Sequence, residues 1–139
     1  MYRKDRKKGR GGLMAFISVL LLSKKVKLLR TFKFIEVLPI EVRIYNKDVL
    51  IIAVCGPPKV SGKDYHTQLE DKLCSLCIWA ELQKQNIVIA GDLTLKRLSD
   101  QRESKILKDI EDIYGLECLI KDPTRITKNS STFLDVLLT

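Results

Sequence analysis

The stretch that decides the fold runs Ile87-Val88-Ile89-Ala90-Gly91-Asp92-Leu93-Thr94. A short apolar run that ends abruptly in Gly-Asp is typical of a buried strand that delivers a carboxylate to the rim of a sheet. Asp92 and Thr94 stand two residues apart, and residues i and i+2 of an extended segment lie on the same face. We therefore expect both side chains to point at one spot. A purely structural strand that ends in a Gly-Asp turn would show the same sequence, so that interpretation remains open.

The sequence around this run predicts an α/β chain. Apolar and alternating runs predict strands at residues 13–21, 37–45, 49–54, 87–90, 116–120 and 132–138. In 37–45 apolar residues alternate with others, which is the pattern of a half-buried strand, and Asn46-Lys47-Asp48 reads as the turn before 49–54. Helices predicted at 64–84 and 102–114 lie between strands, which is the order of an α/β fold.

Both predicted helices carry one apolar stripe and recognisable ends. The stripe of the first consists of Leu69, Leu73, Leu76, Cys77 and Ala80, and that of the second consists of Ile106, Leu107, Ile110, Ile113 and Tyr114. Asp64 suits the N-cap of the first helix. Gly115 supplies a C-terminal stop for the second. We expect both stripes to face the sheet.

Three further segments give the chain a resemblance to a known family. They read Val54-Cys55-Gly56-Pro57-Pro58, Asp122-Pro123-Thr124-Arg125-Ile126-Thr127 and Ser131-Thr132-Phe133-Leu134-Asp135-Val136-Leu137-Leu138. Together with the Gly-Asp run they resemble the motifs of the endonuclease/exonuclease/phosphatase family. Their order and spacing, and the opening residues 5–13, are similar to the apurinic-like endonuclease domain of non-LTR retrotransposons, the domain associated with a reverse transcriptase.

This resemblance implies a fold and an activity. The fold is a partial two-sheet β-sandwich flanked by helices, of the DNase I-like type. Residues 1–139 would form a single incomplete domain with a basic N-terminal segment at 1–33. The activity implied is a Mg²⁺-dependent phosphodiesterase that nicks DNA.

The resemblance also assigns roles to particular residues. Asp92 matches the aspartate that orients or deprotonates the attacking water, and Thr94 stands where the family has a phosphate-binding asparagine. Asp135 matches the aspartate that orients a catalytic histidine. Arg125 matches a contact with the DNA backbone, and it could equally be a surface arginine paired with Asp122.

The chain departs from the family pattern at several catalytic positions. Thr94 lacks the amide of asparagine, and Cys55 and Gly56 replace a tyrosine and an arginine. The metal-holding glutamate, an earlier asparagine and a closing Ser-Asp-His motif have no counterpart in residues 1–139. Because one lost donor costs about 10²–10³ in rate in comparable sites, we expect activity to be absent or impaired, with no metal ligand retained.

The positive charge is concentrated near the N-terminus. Residues 1–33 hold eleven Lys or Arg and one Asp, a net charge of +10, whereas the whole chain has a net charge of +8. Lys7, Lys8 and Arg10 are the candidate nucleic-acid contacts, because basic segments bind polyanions. The alternative function is therefore a non-catalytic nucleic-acid-binding fragment, with DNA as the partner, and a merely solvated terminus remains open.

The cysteines and the longest apolar run indicate the cellular compartment of the protein. Cys55, Cys74, Cys77 and Cys118 stand in apolar surroundings, which suits reduced thiols and an intracellular protein, nuclear or cytoplasmic. Residues 13–22 resemble the apolar part of a secretory signal, but no small-residue cleavage site follows. The run is also shorter than the roughly 20 residues that span a bilayer. We expect no membrane partner, and we infer no specific protein partner.

Overall fold

The computed structural model describes residues 1–5, 12–28, 34–56, 65–83, 86–93, 101–122, 125–128, 130–132 and 135–139. In chain order the elements are β1 (Tyr2–Asp5), β2 (Gly12–Ala15), β3 (Ser23–Lys25), β4 (Glu36–Ile44), β5 (Lys47–Cys55), α1 (Tyr65–Gln83), β6 (Asn86–Asp92), α2 (Gln101–Tyr114), β7 (Arg125–Thr127), β8 (Ser130–Thr132) and β9 (Asp135–Leu138). Neither helix is long and apolar enough to cross a membrane. The α/β class predicted from the sequence is confirmed.

The main sheet has five strands in the order β3-β4-β5-β6-β9. β5 and β6 are parallel, with α1 between them in sequence, and the other neighbouring pairs are antiparallel. Parallel neighbours need a long crossover, and a helix commonly supplies it. Two small sheets, β1-β2 and β7-β8, complete the described strands.

The β4–β5 hairpin turns at Tyr45 and Asn46, one residue earlier than the sequence suggested. Both residues have positive φ, +46° and +65°, and Ile44 pairs with Lys47 across the turn. Positive φ at both central positions is the type I′ geometry, which matches the twist of the flanking strands. Lys47 and Asp48 therefore already belong to β5.

The first half of β4 is buried on both faces, so the expectation of a half-buried strand was wrong there; on the face of Val37, Arg43 is exposed as expected. Val37 belongs to the core beneath the helices. Leu38, Ile40 and Val42 belong to a second cluster, against which Tyr2 and Leu13 of the β1-β2 hairpin pack. Two apolar environments therefore enclose the first half of β4, and one face becomes polar towards Arg43.

α1 covers one face of the sheet with the predicted stripe. All five stripe residues are buried, and they share a cluster with Leu50, Ile52 and Ile89 of the two parallel strands. Each fully buried aliphatic side chain contributes about 1.5–3 kcal/mol through removal from water. This helix is therefore fixed to the sheet by packing rather than by its ends.

α2 follows its predicted stripe for most of its length. Ile106, Leu107 and Ile110 are buried, but Ile113 is 66% exposed, so the stripe ends one turn before the helix does. Gly115 adopts φ +62°, and the Leu116 amide donates to the carbonyl of Glu111. That six-residue closure is the Schellman motif, and it confirms the predicted stop.

The apolar run at residues 13–21 is not one strand. β2 ends at Ala15, the Leu21 amide donates to the Ser18 carbonyl at 3.0 Å, and β3 begins at Ser23. This turn leads the chain from the small β1-β2 sheet to the edge of the main sheet, which one straight strand could not do.

Residues 116–120 also fail to form the predicted strand. Within the described part of the chain, Cys118 makes a single bridge to Leu138. Glu117 exchanges two backbone hydrogen bonds with Thr139, and the Leu119 amide donates to the Leu137 carbonyl. The segment thus borders β9 without a continuous ladder. The predicted strand at 132–138 appears as β8 and β9, and residues 133–134 lie outside the description.

Candidate active site

Three strand ends meet at one rim of the main sheet. β5 ends at Cys55 and β6 ends at Asp92, and their parallel register pairs these two residues. β9 begins at Asp135, which pairs with Asp92 from the other side. The parallel pair β5-β6 and the antiparallel neighbour β9 therefore bring polar residues from three distant parts of the sequence to one edge of the sheet.

The backbone around Asp92 is tightly held. Gly91 has φ +152°, and a Cβ built on it would lie 1.8 Å from the carbonyl oxygen of Val54. The Gly56 amide donates to the Asp92 carbonyl at 2.8 Å, and Leu93 is fully buried. Only glycine fits at position 91, so the Gly-Asp pair fixes where the carboxylate-bearing residue leaves the sheet.

Asp92 stands where the sequence predicted it, as the last residue of β6 and half-buried. Directly opposed residues of antiparallel strands have Cα atoms about 4.5–5.5 Å apart. The backbone register thus places Asp92 and Asp135 as immediate neighbours on adjoining strands. Their roles in catalysis stay predictions.

The other residues predicted for the site are less well placed. Thr94, Lys7, Lys8 and Arg10 lie outside the described residues. Arg125 opens β7, where its backbone pairs with Thr132 in the small β7-β8 sheet. The predicted contact of Arg125 with DNA therefore remains a prediction.

Cys55 occupies the position that the resemblance gives to a tyrosine. Its side chain is half-buried, and its Sγ donates to the neighbouring Gly56 carbonyl at 3.5 Å. A short thiol directed at its own backbone does not supply the phosphate contact of a phenol. In the ranges that the structure describes, no group of three or more His, Cys, Asp or Glu is placed to hold a metal ion.

A cavity of about 720 Å³ lies at the opposite end of the strands from Asp92, and Lys47, Asn86 and Tyr114 are among its lining residues. Tyr114 Oη donates to the Cys74 carbonyl at 3.3 Å, and burial raises the pKa of Tyr114 to about 12. The sequence showed Tyr114 only as part of a stripe, because this contact joins two helices far apart in the chain. The cavity and the carboxylates thus lie at opposite ends of the strands. We place the candidate site at the end that carries Asp92 and Asp135.

Comparison with solved structures identifies the architecture. No family model and no curated protein matches the sequence. The endonuclease domain of TRAS1, a telomere-specific non-LTR retrotransposon, superimposes with a TM-score of 0.60 at 16% identity, over 85% of this chain and 53% of that one. The fold is DNase I-like.

A second DNase I-like neighbour is TDP2 from D. rerio, in complex with single-strand DNA product. It matches with a TM-score of 0.52 at 12% identity, over 85% of this chain and 52% of TDP2. The chain therefore spans about half the length of both neighbours. The resemblance read from the sequence is confirmed at the level of the fold.

Proposed function

We propose that the chain carries part of the catalytic rim of a metal-dependent phosphodiesterase, by descent a DNA-nicking endonuclease, with impaired activity. The observation that supports this most is the pairing of Asp92 with Asp135 at the strand ends of a DNase I-like fold. The two carboxylates come from strands that meet only in the folded chain.

The proposed chemistry assigns a role to each of the three candidate residues. Asp92 orients the attacking water and accepts its proton, as a general base within hydrogen-bond reach would. Thr94 donates its hydroxyl to a phosphate oxygen in place of an amide. Asp135 positions a proton donor for the leaving group. Mg²⁺ would supply charge stabilisation at phosphorus, but the described residues do not themselves form its site, so no step is assigned to it.

The 139-residue chain is expected not to nick DNA. Supercoiled plasmid incubated with Mg²⁺ should remain supercoiled, because Cys55, Gly56 and Thr94 lack the contacts of the family residues. Groups that act as a unit lose activity far out of proportion to their number. Robust nicking by the wild-type chain that disappears in Asp92→Ala would contradict the proposed impairment while supporting the site.

An activated substrate tests the site itself. An aryl phosphodiester departs without a proton donor, so it bypasses the task given to Asp135. With Mg²⁺ in the buffer, we expect slow hydrolysis of bis(4-nitrophenyl) phosphate that falls to the buffer rate in Asp92→Ala. Glu117→Ala, which changes an exposed carboxylate outside the rim, is the matched control. Equal rates for the wild type and Asp92→Ala would refute the proposed role of Asp92.

A second candidate function is nucleic-acid binding by the basic segment. Burial, together with the nearby charge of Lys25, lowers the pKa of Lys4, so these two lysines from different strands lie in one patch. If this patch binds DNA, the logarithm of the binding constant should fall linearly with the logarithm of salt concentration. Lys24→Glu combined with Lys25→Glu should flatten that slope, and an unchanged slope would exclude the patch.

A further inference from the structure

The most unusual surface of the molecule is the turn between β2 and β3. Phe16, Val19, Leu20 and Leu22 are 74–98% exposed. We call these four residues the apolar turn. Contiguous exposed apolar side chains mark interaction surfaces more often than chance exposure does.

The apolar turn is held in place by hydrogen bonds. The Leu21 amide donates to the Ser18 carbonyl at 3.0 Å, and the Arg43 amide donates to the Leu22 carbonyl at 2.9 Å. The Leu20 amide is 3.3 Å from Ser18 Oγ. The side chains are thus presented by an ordered backbone, so a partner that covers them has little ordering entropy to overcome.

β3, which follows the turn, is an edge strand of the described main sheet. The Leu22 carbonyl and the Val26 amide bond to β4, and antiparallel strands direct alternate residues to either side. Ser23 and Lys25 therefore direct their backbone groups away from β4. Such an edge is a template for an added strand.

The charge around this edge is mostly positive. Residues 6–35 contain no Asp or Glu, and Lys24, Lys25 and Lys27 are exposed beside the turn. Lys24 Nζ reaches Glu41 at 3.4 Å but keeps 71% of its side chain in solvent. A partner for this surface must be acidic, and a second copy that presented the same basic edge would be repelled.

The exposed edge decides between two acidic partners. An anionic bilayer would accept the apolar turn and the lysines, but it offers no backbone partner to the outward amides and carbonyls of Ser23 and Lys25, which would stay hydrated at its surface. An extended polypeptide satisfies the backbone edge, the apolar side chains and the lysines together.

We propose that the apolar turn and the β3 edge form a docking site for an extended, acidic and apolar polypeptide segment that adds as a sixth strand beside β3. The acidic side chains on one face of the segment pair with Lys25, and its apolar side chains cover Val19 and Leu20. The site is at the opposite edge of the sheet from β9, and so it is separate from the carboxylate rim.

The test measures the binding of a fluorescein-labelled decapeptide that alternates Glu with Val or Leu and carries a terminal proline against self-pairing. The whole 139-residue chain should bind it saturably and should bind the Lys-for-Glu peptide at least tenfold more weakly. The amides of Ser23 and Lys25 should gain protection from hydrogen exchange on binding. Absence of this protection would overturn the proposal even where the peptide binds.

Variants separate the three contributions. Leu20→Ser and Lys25→Glu should each weaken binding about tenfold. Lys25→Pro should abolish it, since proline removes an outward amide that β4 does not use. Leu82→Ser changes an 80% exposed leucine on α1 and should bind as the wild type does. The urea midpoint of each variant checks its folding, and the exchange result on the wild type stands if one fails to fold.

Two other outcomes would replace the proposed partner. Binding to phosphatidylserine vesicles that disappears in Leu20→Ser, without peptide binding, would assign the turn to a membrane surface. Sedimentation of the wild type as a dimer, and of Leu20→Ser as a monomer, would assign it to a second copy. Either result overturns the polypeptide segment as the partner.

Discussion

The two faces of the five-stranded sheet are covered very differently. α1 and α2 bury one face in a continuous cluster that includes Leu50, Ile52 and Ile89. On the other face the buried cluster is small, and the β1-β2 hairpin packs against it, while Val88 and Ala90 of β6 are only half-buried. Among the described residues, the helical face therefore supplies most of the buried apolar contacts, and the second face is less fully covered.

Neighbouring residues of β5 allow the largest test of this contrast. Ile52 is fully buried beneath the helices, whereas Ile51 is half-buried on the other face. Ile52→Ala should lower the free energy of unfolding by about 2–5 kcal/mol, because it removes apolar contacts and leaves a cavity. Ile51→Ala should cost about 1 kcal/mol, because a partly exposed side chain loses less by truncation.

Urea unfolding of both variants measures the difference directly. The two changes are chemically identical and one residue apart, so chain entropy and strand propensity largely cancel. Equal losses for Ile51→Ala and Ile52→Ala would show that the two faces are equally packed, and the contrast would be wrong.

The parallel pairing of β5 with β6 supports both faces of the sheet, and a substitution at Gly91 tests how closely the two strands approach. Gly91→Ala would place a Cβ against the Val54 carbonyl and should lower the free energy of unfolding by about 2–4 kcal/mol through strain and strand displacement. Gly115→Ala is the control, because Gly115 has φ +62° but open space around it. It should cost about 1–2 kcal/mol. Thermal melts that rank the two variants in the reverse order would contradict the close approach at Gly91.

The pH dependence of stability at Cys77 measures how far water is excluded from the helical face. Burial, with a smaller contribution from Cys74, raises the pKa of Cys77 to about 12, against roughly 8.5 in an unfolded chain. Folding therefore favours the neutral thiol. The contribution of the neutral Cys77 thiol to the free energy of unfolding is complete below the unfolded pKa. It is lost as the pH rises from about 9 towards 12, by about 1.4 kcal/mol per pH unit.

Urea unfolding at pH 8, 9.5 and 10.5 in a reductant should show this loss. Cys77→Ala is the reference, since every other titrating group remains. A pH dependence that is the same in the two proteins would mean that water reaches Cys77 and that the helical face is wetter than described.

The smallest expected effect concerns Trp79, which is also on the helical face. Its indole nitrogen is buried and has no hydrogen-bond partner among the described residues. Trp79→Phe removes that unsatisfied donor but also some apolar area, and the two effects oppose each other. We expect the free energy of unfolding to change by less than about 1 kcal/mol. A larger loss on chemical denaturation would indicate a partner for the nitrogen.

The sequence predicted the elements that depend on local sequence pattern. It missed those that depend on tertiary packing by other elements. The stripe of α1, the stop at Gly115 and the strand that ends at Asp92 follow from periodicity and backbone preference. The second buried face of β4 and the division of the run at 13–21 could not be foreseen, because both depend on the β1-β2 hairpin packing across the sheet.

The same distinction holds for the candidate site. The Gly-Asp pair identified Asp92 and its strand end, because Gly91 is the only residue that fits beside Val54. Asp135 was named as a site residue through the resemblance alone, since no local pattern reveals the register of strands so far apart in the chain. Tyr114 and its contact with Cys74 had no local signal.

The tight turn at Tyr45 and Asn46 has a consequence for the order of folding. The β4–β5 hairpin is closed by two residues, so it requires little loop closure and can form on the microsecond scale of isolated hairpins. β6 joins only after the α1 crossover, and β9 pairs only when residues 135–138 are present. We expect folding to start at this hairpin and to be limited by these distant pairings, so that during synthesis the rim around Asp92 is completed well after the hairpin.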